Sequence, residues 1–320
     1  MRFSVAQKRK RTAEAILKKL ILKNYNPHPL HYLLDLRVKM FLSEWISEYQ
    51  MLLAERGLSL KTIQNKQVWL DRLNDRFGRL RLHEIETADL HRTIRVVTLR
   101  GYSAAAKTAH SVIRDLFSEA YSFGIIKANP AAPLLAPRSS PTRSRLIINE
   151  WRSIFNAAHC HDRKFTHQSM LLALITGQRR GDIAALTAEN VRNEYLYVTQ
   201  QKSNARLAIP LSLRLDAIGL TLGDVIRRLP SRGPLLRFEN GSAVTPSSLS
   251  YGFLRARRIA FPDNAWDGTP PTFHEQRSLA ERLYYSQGID TRTLLGHKSQ
   301  RMTDHYHDNH GREWIYVRPY

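Results

Sequence analysis

Residues 274–306 read HEQRSLAERLYYSQGIDTRTLLGHKSQRMTDHY, and the polar groups spaced along this stretch decide the fold assignment. His274 and Arg277 stand three apart at the start of a helical pattern that runs to Tyr285, so on a helix they share a face and can contact one anion. Leu294-Leu295-Gly296-His297-Lys298-Ser299 supplies a second histidine twenty residues beyond Arg277, and Tyr306 follows nine residues later. Taken alone, each has an ordinary reading: a surface histidine, a solvated arginine, one of thirteen tyrosines. Their order and spacing make them distinctive.

Two upstream segments add charged groups to the set. Met170 to Ile175 is apolar all round, as a buried helix would be, and leads into Thr176-Gly177-Gln178-Arg179-Arg180-Gly181-Asp182. Gly177 can end one helix and Asp182 can sit in the first turn of the next, a corner that aims an arginine outward. A guanidinium stays charged and donates in a planar fork, which suits a phosphate, although a structural Arg–Asp pair is the competing reading. Asp182 is expected to orient Arg179 through a salt bridge, and Arg180 to contact the same polyanion or stand in solvent. The period then changes: Tyr195 to Gln200 and Ala205 to Leu211 are strand-like runs flanking Lys202-Ser203-Asn204, a β-hairpin with a polar turn. Asn149 can cap a helix bearing Trp151, Ile154, Phe155 and Ala158. Ser247 to Arg258 reads as a helix with Arg255, Arg257 and Arg258, by residue type alone a solvated basic face.

Further outward, residues 36–128 are helical throughout. The first element places Phe41, Trp45, Tyr49 and Leu52 on one face, and Gly57 stops it. Ser59 is a candidate N-cap for a second helix through Trp69, Leu70 and Leu73, ended by Gly78; Thr87 can cap a third with Leu90, Ile94 and Val97. A fourth starts near Ser103, presents Ala109, Ile113, Leu116, Phe117 and Ala120, and ends at Gly124. Four amphipathic helices predict a small bundle. Residues 129–144 contain Pro130, Pro133, Pro137 and Pro141, a composition that favours extended backbone and predicts a linker, with Arg138, Arg143 and Arg145 making it basic. Residues 1–35 read as a basic N-terminal appendage with a helical candidate at Thr12 to Leu22, and residues 145–320 as a unit of helices with a short sheet.

The 320 residues carry a net charge of +21 at pH 7. A surface so cationic attracts polyanions and releases their counterions on binding, which makes nucleic acid the leading partner ahead of a ribosomal or membrane-surface role. No window approaches the roughly 18 consecutive apolar residues of a membrane span. The basic N-terminus lacks the unbroken apolar stretch of a signal peptide, since Lys18 and Lys19 interrupt it. Cys160 is the only cysteine, so no intramolecular disulfide can form, and a cytoplasmic location fits. His159-Cys160-His161-Asp162 and the group His305, His307, Asp308, His310 contain ligand types without a metal-binding spacing, and no metal or other cofactor is expected.

With these residues assembled, the chain resembles the tyrosine recombinases, and among them the integrases of lambda-like phages. The family pattern is an arginine in a Thr-Gly-x-Arg turn, a lysine on a β-hairpin, His-x-x-Arg, Leu-Gly-His and then a tyrosine. Carried over, these are Arg179, Lys202, His274, Arg277, His297 and Tyr306, with Asp182 in support. The similarity extends through Leu196-Tyr197-Val198, Ile209-Pro210 and Gly311-Arg312-Glu313-Trp314, and into the helical region at Ser59-Leu60-Lys61-Thr62. The ordered set is far more specific than any single match.

The resemblance implies a multidomain α and α+β protein. A helical SAM-like core-binding domain precedes a mainly helical catalytic domain with a small antiparallel sheet, the two closing round DNA as a C-shaped clamp. It implies that Tyr306 attacks the scissile phosphate to form a 3′-phosphotyrosine, with neither ATP nor metal, and that Lys202 protonates the leaving oxygen; a surface lysine in a turn is the plainer reading of that residue. It further implies double-stranded DNA attachment sites as substrate, a homo-tetramer working through a Holliday junction to integrate and excise phage or prophage DNA, and a host DNA-bending protein and an excisionase as partners. Lambda-like integrases also carry a small N-terminal β-sheet domain for distant arm sites, and this chain is expected to begin only near the end of it, around Phe3 to Leu22; arm-site binding and dependence on those two partners are set apart on that account. Two other readings compete: a non-catalytic DNA-binding regulator with the same fold, and a type IB topoisomerase-like strand transferase.

Overall fold

The computed structural model describes residues 40–138, 144–161, 163–262, 265–266 and 268–297. The chain divides between Ser140 and Pro141 into two compact units. The expectations placed on residues 1–35, on Arg143, on Tyr306, on the group His305, His307, Asp308 and His310, and on residues 311–314 lie outside the described residues.

The first unit holds four helices among its described residues: α1 (Leu42–Glu55), α2 (Leu60–Phe77), α3 (Thr87–Leu99) and α4 (Ser103–Ser122). Gly57 takes a left-handed φ of +62° after α1, and Ser59 caps α2 by accepting from Thr62 N at 3.2 Å. On α4, Ala109, Ile113, Leu116, Phe117 and Ala120 are fully buried, the stripe the spacing predicts. On α1 the stripe turns by about one residue from the expected one, to Leu42, Trp45, Ile46, Tyr49 and Leu53. Phe41 is the extended N-cap rather than a helical residue, and it stays 40% exposed. Thr87 is likewise the first helical residue rather than the cap; its hydroxyl donates instead to Pro130 O at 2.8 Å.

A polar cluster locks α1, α2 and α4 together. Asp115 accepts from Tyr49 at 2.5 Å and pairs with Lys66 and Arg56. Burial raises the Asp115 pKa, but hydrogen bonds from Lys66 and Tyr49 outweigh that and hold the carboxyl below the usual range. Ala131 and Leu134 are buried against this unit, with Leu134 O bonded to His110 at 3.0 Å, so the proline-rich stretch packs on the bundle before the chain leaves it.

The second unit is built round α6 (Lys164–Thr176), which buries every residue from Met170 to Thr176. Around it pack α5 (Ile148–His161), α7 (Arg180–Ala184), α8 (Leu222–Ile226), α9 (Pro246–Ala260) and α10 (Glu275–Ser286); α11 (Thr291–Leu295) joins α10. Strands β1 (Val191–Arg192), β2 (Tyr195–Thr199) and β3 (Arg206–Pro210) form an antiparallel sheet in sequence order, and β4 (Arg214–Leu215) pairs with β5 (Leu220–Thr221). Thr199 pairs with Arg206, and Gln200 N bonds Ala205 O at 2.9 Å, so the hairpin closes on a turn of residues 201–204. Asn149 lies inside α5, where Glu150 takes the capping role by accepting from Ile147 N at 3.0 Å. Among the described residues no helix is long and apolar enough to cross a membrane.

Candidate active site

Two left-handed glycines set the site's geometry. Gly177, at φ +63°, ends α6, and the chain then extends through Arg179, the N-cap of α7. Gly296, at φ +62°, ends α11 and delivers His297. The two turns nest: a Cβ at Gly177 would stand 2.8 Å from Leu295 Cδ2, and a Cβ at Gly296 would meet the Gln200 amide at 3.1 and 3.2 Å. Only glycine combines this backbone with so close an approach.

Arg277, in the first turn of α10, is 1% exposed. Its Nη1 donates to Gly177 O and its Nη2 to Leu295 O, both at 2.7 Å, and Nη2 also donates to His297 Nε2 at 3.0 Å. The guanidinium fork thus ties both glycine turns to α10. Because an arginine only donates, Nε2 of His297 must accept, which leaves the imidazole proton on Nδ1. Burial, reinforced by the charges of Arg277 and then Arg179, pushes the His297 pKa down to about 4, so the ring is neutral at ordinary pH. That dependence on both arginines puts three of the motif residues round one point. Arg179 is half-buried and its Nη1 donates to Gln200 Oε1 at 2.9 Å.

Lys202 is exposed on the hairpin turn, whose base is held to this cluster. His274 is exposed at the N-cap of α10, on the same helix as Arg277. It opens onto a cleft of about 530 Å³ that Arg180, Ser250, Thr272 and Phe273 also line. Arg180, half of the ambiguous pair, donates to Ser250 at 2.5 Å on that cleft. The structure therefore gathers Arg179, Arg277 and His297, holds the Lys202 turn beside them, and sets His274 on the rim; Tyr306 lies outside the described residues.

The expected Asp182–Arg179 salt bridge is not formed. Asp182 is 3% exposed in the first turn of α7 and faces the hairpin, where its Oδ1 accepts from Gln201 N at 2.9 Å; Arg179, extended at the cap, turns to Gln200 instead. Two residues that the sequence reading passed over, Gln178 and Gln200, are buried between the turns: Gln178 donates to Leu294 O at 3.0 Å, and Gln200 to Gln178 and Leu295 O. Of the three arginines expected on the α9 face, Arg257 is buried and donates to Pro271 O at 2.8 Å, while Arg255 and Arg258 are exposed. Arg145 is drawn into the unit, donating to Ser278 at 2.6 Å.

A sequence model described as the phage integrase family matches residues 144–312. The prophage integrase IntE of Escherichia coli K12 is 38% identical over 292 residues, 86% of this chain and 77% of its own length. The integrase of Escherichia phage lambda is 33% identical over 278 residues, 85% of this chain and 77% of its own. Among solved structures, a lambda integrase dimer bound to a COC′ core site matches with a TM-score of 0.83 at 30% identity, over 97% of this chain and 90% of that one. A lambda integrase tetramer bound to a Holliday junction matches at 0.82 and 30% identity, over 96% and 89%.

Proposed function

The chain belongs to the phage integrase family, and from that premise we propose that it is a site-specific tyrosine recombinase that integrates and excises phage or prophage DNA in a bacterial cytoplasm. Tyr306 attacks the scissile phosphodiester: its phenolate oxygen bonds to phosphorus, and the bond to the 5′ oxygen breaks. The products are a 3′-phosphotyrosine and a 5′-hydroxyl. Arg179 and Arg277 hold the non-bridging oxygens as negative charge builds in the transition state, and preorganised donors of this kind act most strongly where charge develops. His297, neutral, and His274 add hydrogen bonds. Lys202 gives its proton to the departing 5′ oxygen.

The convergence of Arg179 and Arg277 on His297 carries this reading, because two fixed guanidinium groups and a neutral imidazole suit a phosphoryl centre. Keeping the phosphodiester energy in a covalent bond lets the 5′-hydroxyl of a second strand reverse the attack, so exchange needs no ATP. The DNA substrate is a pair of attachment sites, held by four copies of the chain through a Holliday junction.

The test mixes the protein with two duplexes carrying its host–prophage junction sequences, without ATP. Recombinant strands and four-way junctions are the expected products. Relaxation of supercoiled DNA with no exchange would point to topoisomerase-like action, and site binding with no cleavage to a regulator.

A further inference from the structure

Gln200 is the residue that enters the hairpin turn, and its side chain is wholly buried at the meeting point of three segments. Its Nε2 donates to Gln178 Oε1 at 2.7 Å and to Leu295 O at 2.9 Å. Its Oε1 accepts from Arg179 Nη1 at 2.9 Å and from Ser203 Oγ at 2.6 Å. A primary amide has two donor hydrogens and two acceptor lone pairs, and all four are used. The orientation of the amide follows from the partners: turned over, it would set its oxygen against the Leu295 carbonyl and its NH₂ against the Arg179 guanidinium. Leu295 O also takes Arg277 Nη2, so Gln200 and Arg277 share one carbonyl.

The consequence falls on Lys202. The residue after it, Ser203, is bonded to Gln200, and the residue before it, Gln201, has its backbone N–H held by Asp182 Oδ1 at 2.9 Å. Asp182 belongs to the helix that Arg179 caps. Lys202 itself is exposed, and its side chain forms no hydrogen bond or ion pair with the described residues. A long flexible ammonium aims at one atom only if the backbone beneath it is fixed.

We propose that Gln200 is a positioning residue that locks Arg179 to the turn bearing Lys202, so that the phosphate-binding arginine and the proton-donating lysine are presented as one unit. Asp182 clamps the other side of the same turn. The proposal rests on the recombinase reading above and adds to it a residue that touches neither DNA nor the reacting atoms.

The test is single-turnover cleavage of a nicked attachment-site duplex, made with either oxygen or sulfur at the bridging 5′ position of the scissile phosphate. A thiolate leaves without needing a proton, because a thiol ionises near pH 8.5. Gln200→Met keeps chain length and removes all four hydrogen bonds. It should bind site DNA within about twofold of the unaltered protein, yet cleave the oxygen substrate about a hundredfold more slowly, the scale expected when a catalytic group is misplaced by about an ångström. On the sulfur substrate the deficit should shrink to about tenfold or less, because the share routed through Lys202 disappears and the share through Arg179 remains. Lys202→Ala should lose its whole deficit there. If Gln200→Met does not fold, Ser203→Ala, which removes only the half-buried hydroxyl tie, carries the test with a smaller loss that sulfur relieves in the same way.

Cleavage within about threefold of the unaltered protein, or an equal loss on both substrates, would overturn the proposal and leave the recombinase reading intact. A failure of the unaltered chain to form a Tyr306-dependent adduct would instead sink the reading and the proposal together.

Discussion

Arg277→Lys keeps the charge of Arg277 and removes its fork, which separates the two things that residue could supply. The guanidinium serves Gly177 O, Leu295 O and His297 Nε2 from two nitrogens, a geometry that a single ammonium on a shorter head group cannot reproduce. Leu295 O keeps Gln200 as a donor, so the principal loss is one charge-assisted bond at a buried carbonyl, worth about 1.5–3 kcal/mol. Imperfect packing of the ammonium brings the expected loss of stability to about 2–4 kcal/mol. Site-DNA affinity should change little, since the positive charge at position 277 is unchanged. Cleavage should fall about 10²- to 10³-fold, the usual consequence of losing a fixed donor at a developing anion. Urea denaturation followed by circular dichroism gives the first quantity, and single-turnover cleavage the second. A variant that loses less than about 1 kcal/mol and cleaves at close to the original rate would refute the account of the fork as both scaffold and anion clamp.

The remaining predictions concern His297 and the turns. The folded His297 pKa of about 4 lies below its ordinary 6.5, so the unfolded chain takes up this proton first. The His297 share of stability should be flat above about pH 7, be lost at up to about 1.4 kcal/mol per unit between 6.5 and 4, and level off below, where depressed carboxylates such as Asp115 go on to lose theirs; denaturation of His297→Gln at pH 7 and 5 should show a smaller loss. Arg277→Gln removes one of the charges that depress His297, so NMR titration should find that imidazole ionising at higher pH than in the unaltered protein. Gly177→Ala forces a side chain into a left-handed turn against Leu295 and should destabilise the second unit by about 2 kcal/mol, measured by thermal unfolding. Ser59→Ala should cost about 1 kcal/mol through the lost cap of α2, with cleavage chemistry unaffected.

What was legible in the sequence was what neighbouring residues decide between themselves. Gly57 and Ser59 punctuate α1 and α2 as their chemistry requires, and the buried stripe on α4 follows from spacing alone. The hairpin was readable from the change of period at Tyr195. Errors of one residue at Phe41 and Thr87, and of two at Asn149, arose where an apolar periodicity does not distinguish a cap from the first helical turn. Arg257 carried a signal that went unused: with Leu249, Phe253 and Ala256 it lies on the inner stripe of α9, so its position marked it as buried.

In the candidate site, the grouping of Arg179, Arg277 and His297 follows the order of the motif. Their positioning does not. Asp182 meets Gln201 across 19 residues, and Gln200 meets Gln178 and Leu295 across 22 and 95. No local pattern announces a glutamine whose four bonds come from three separate turns. Its place directly before the polar turn was the one available cue.

The central claim is that Tyr306 forms a covalent bond to DNA at a centre built by these residues, and trapping that bond tests it most directly. The protein is given a nicked suicide duplex from its own attachment site, and the denaturant-resistant adduct is digested and mapped by mass spectrometry. The account predicts a nucleotide attached through its 3′ phosphate to the peptide containing Tyr306, abolished by Tyr306→Phe. An adduct on another residue, a 5′ linkage, or an adduct that persists in Tyr306→Phe would contradict it.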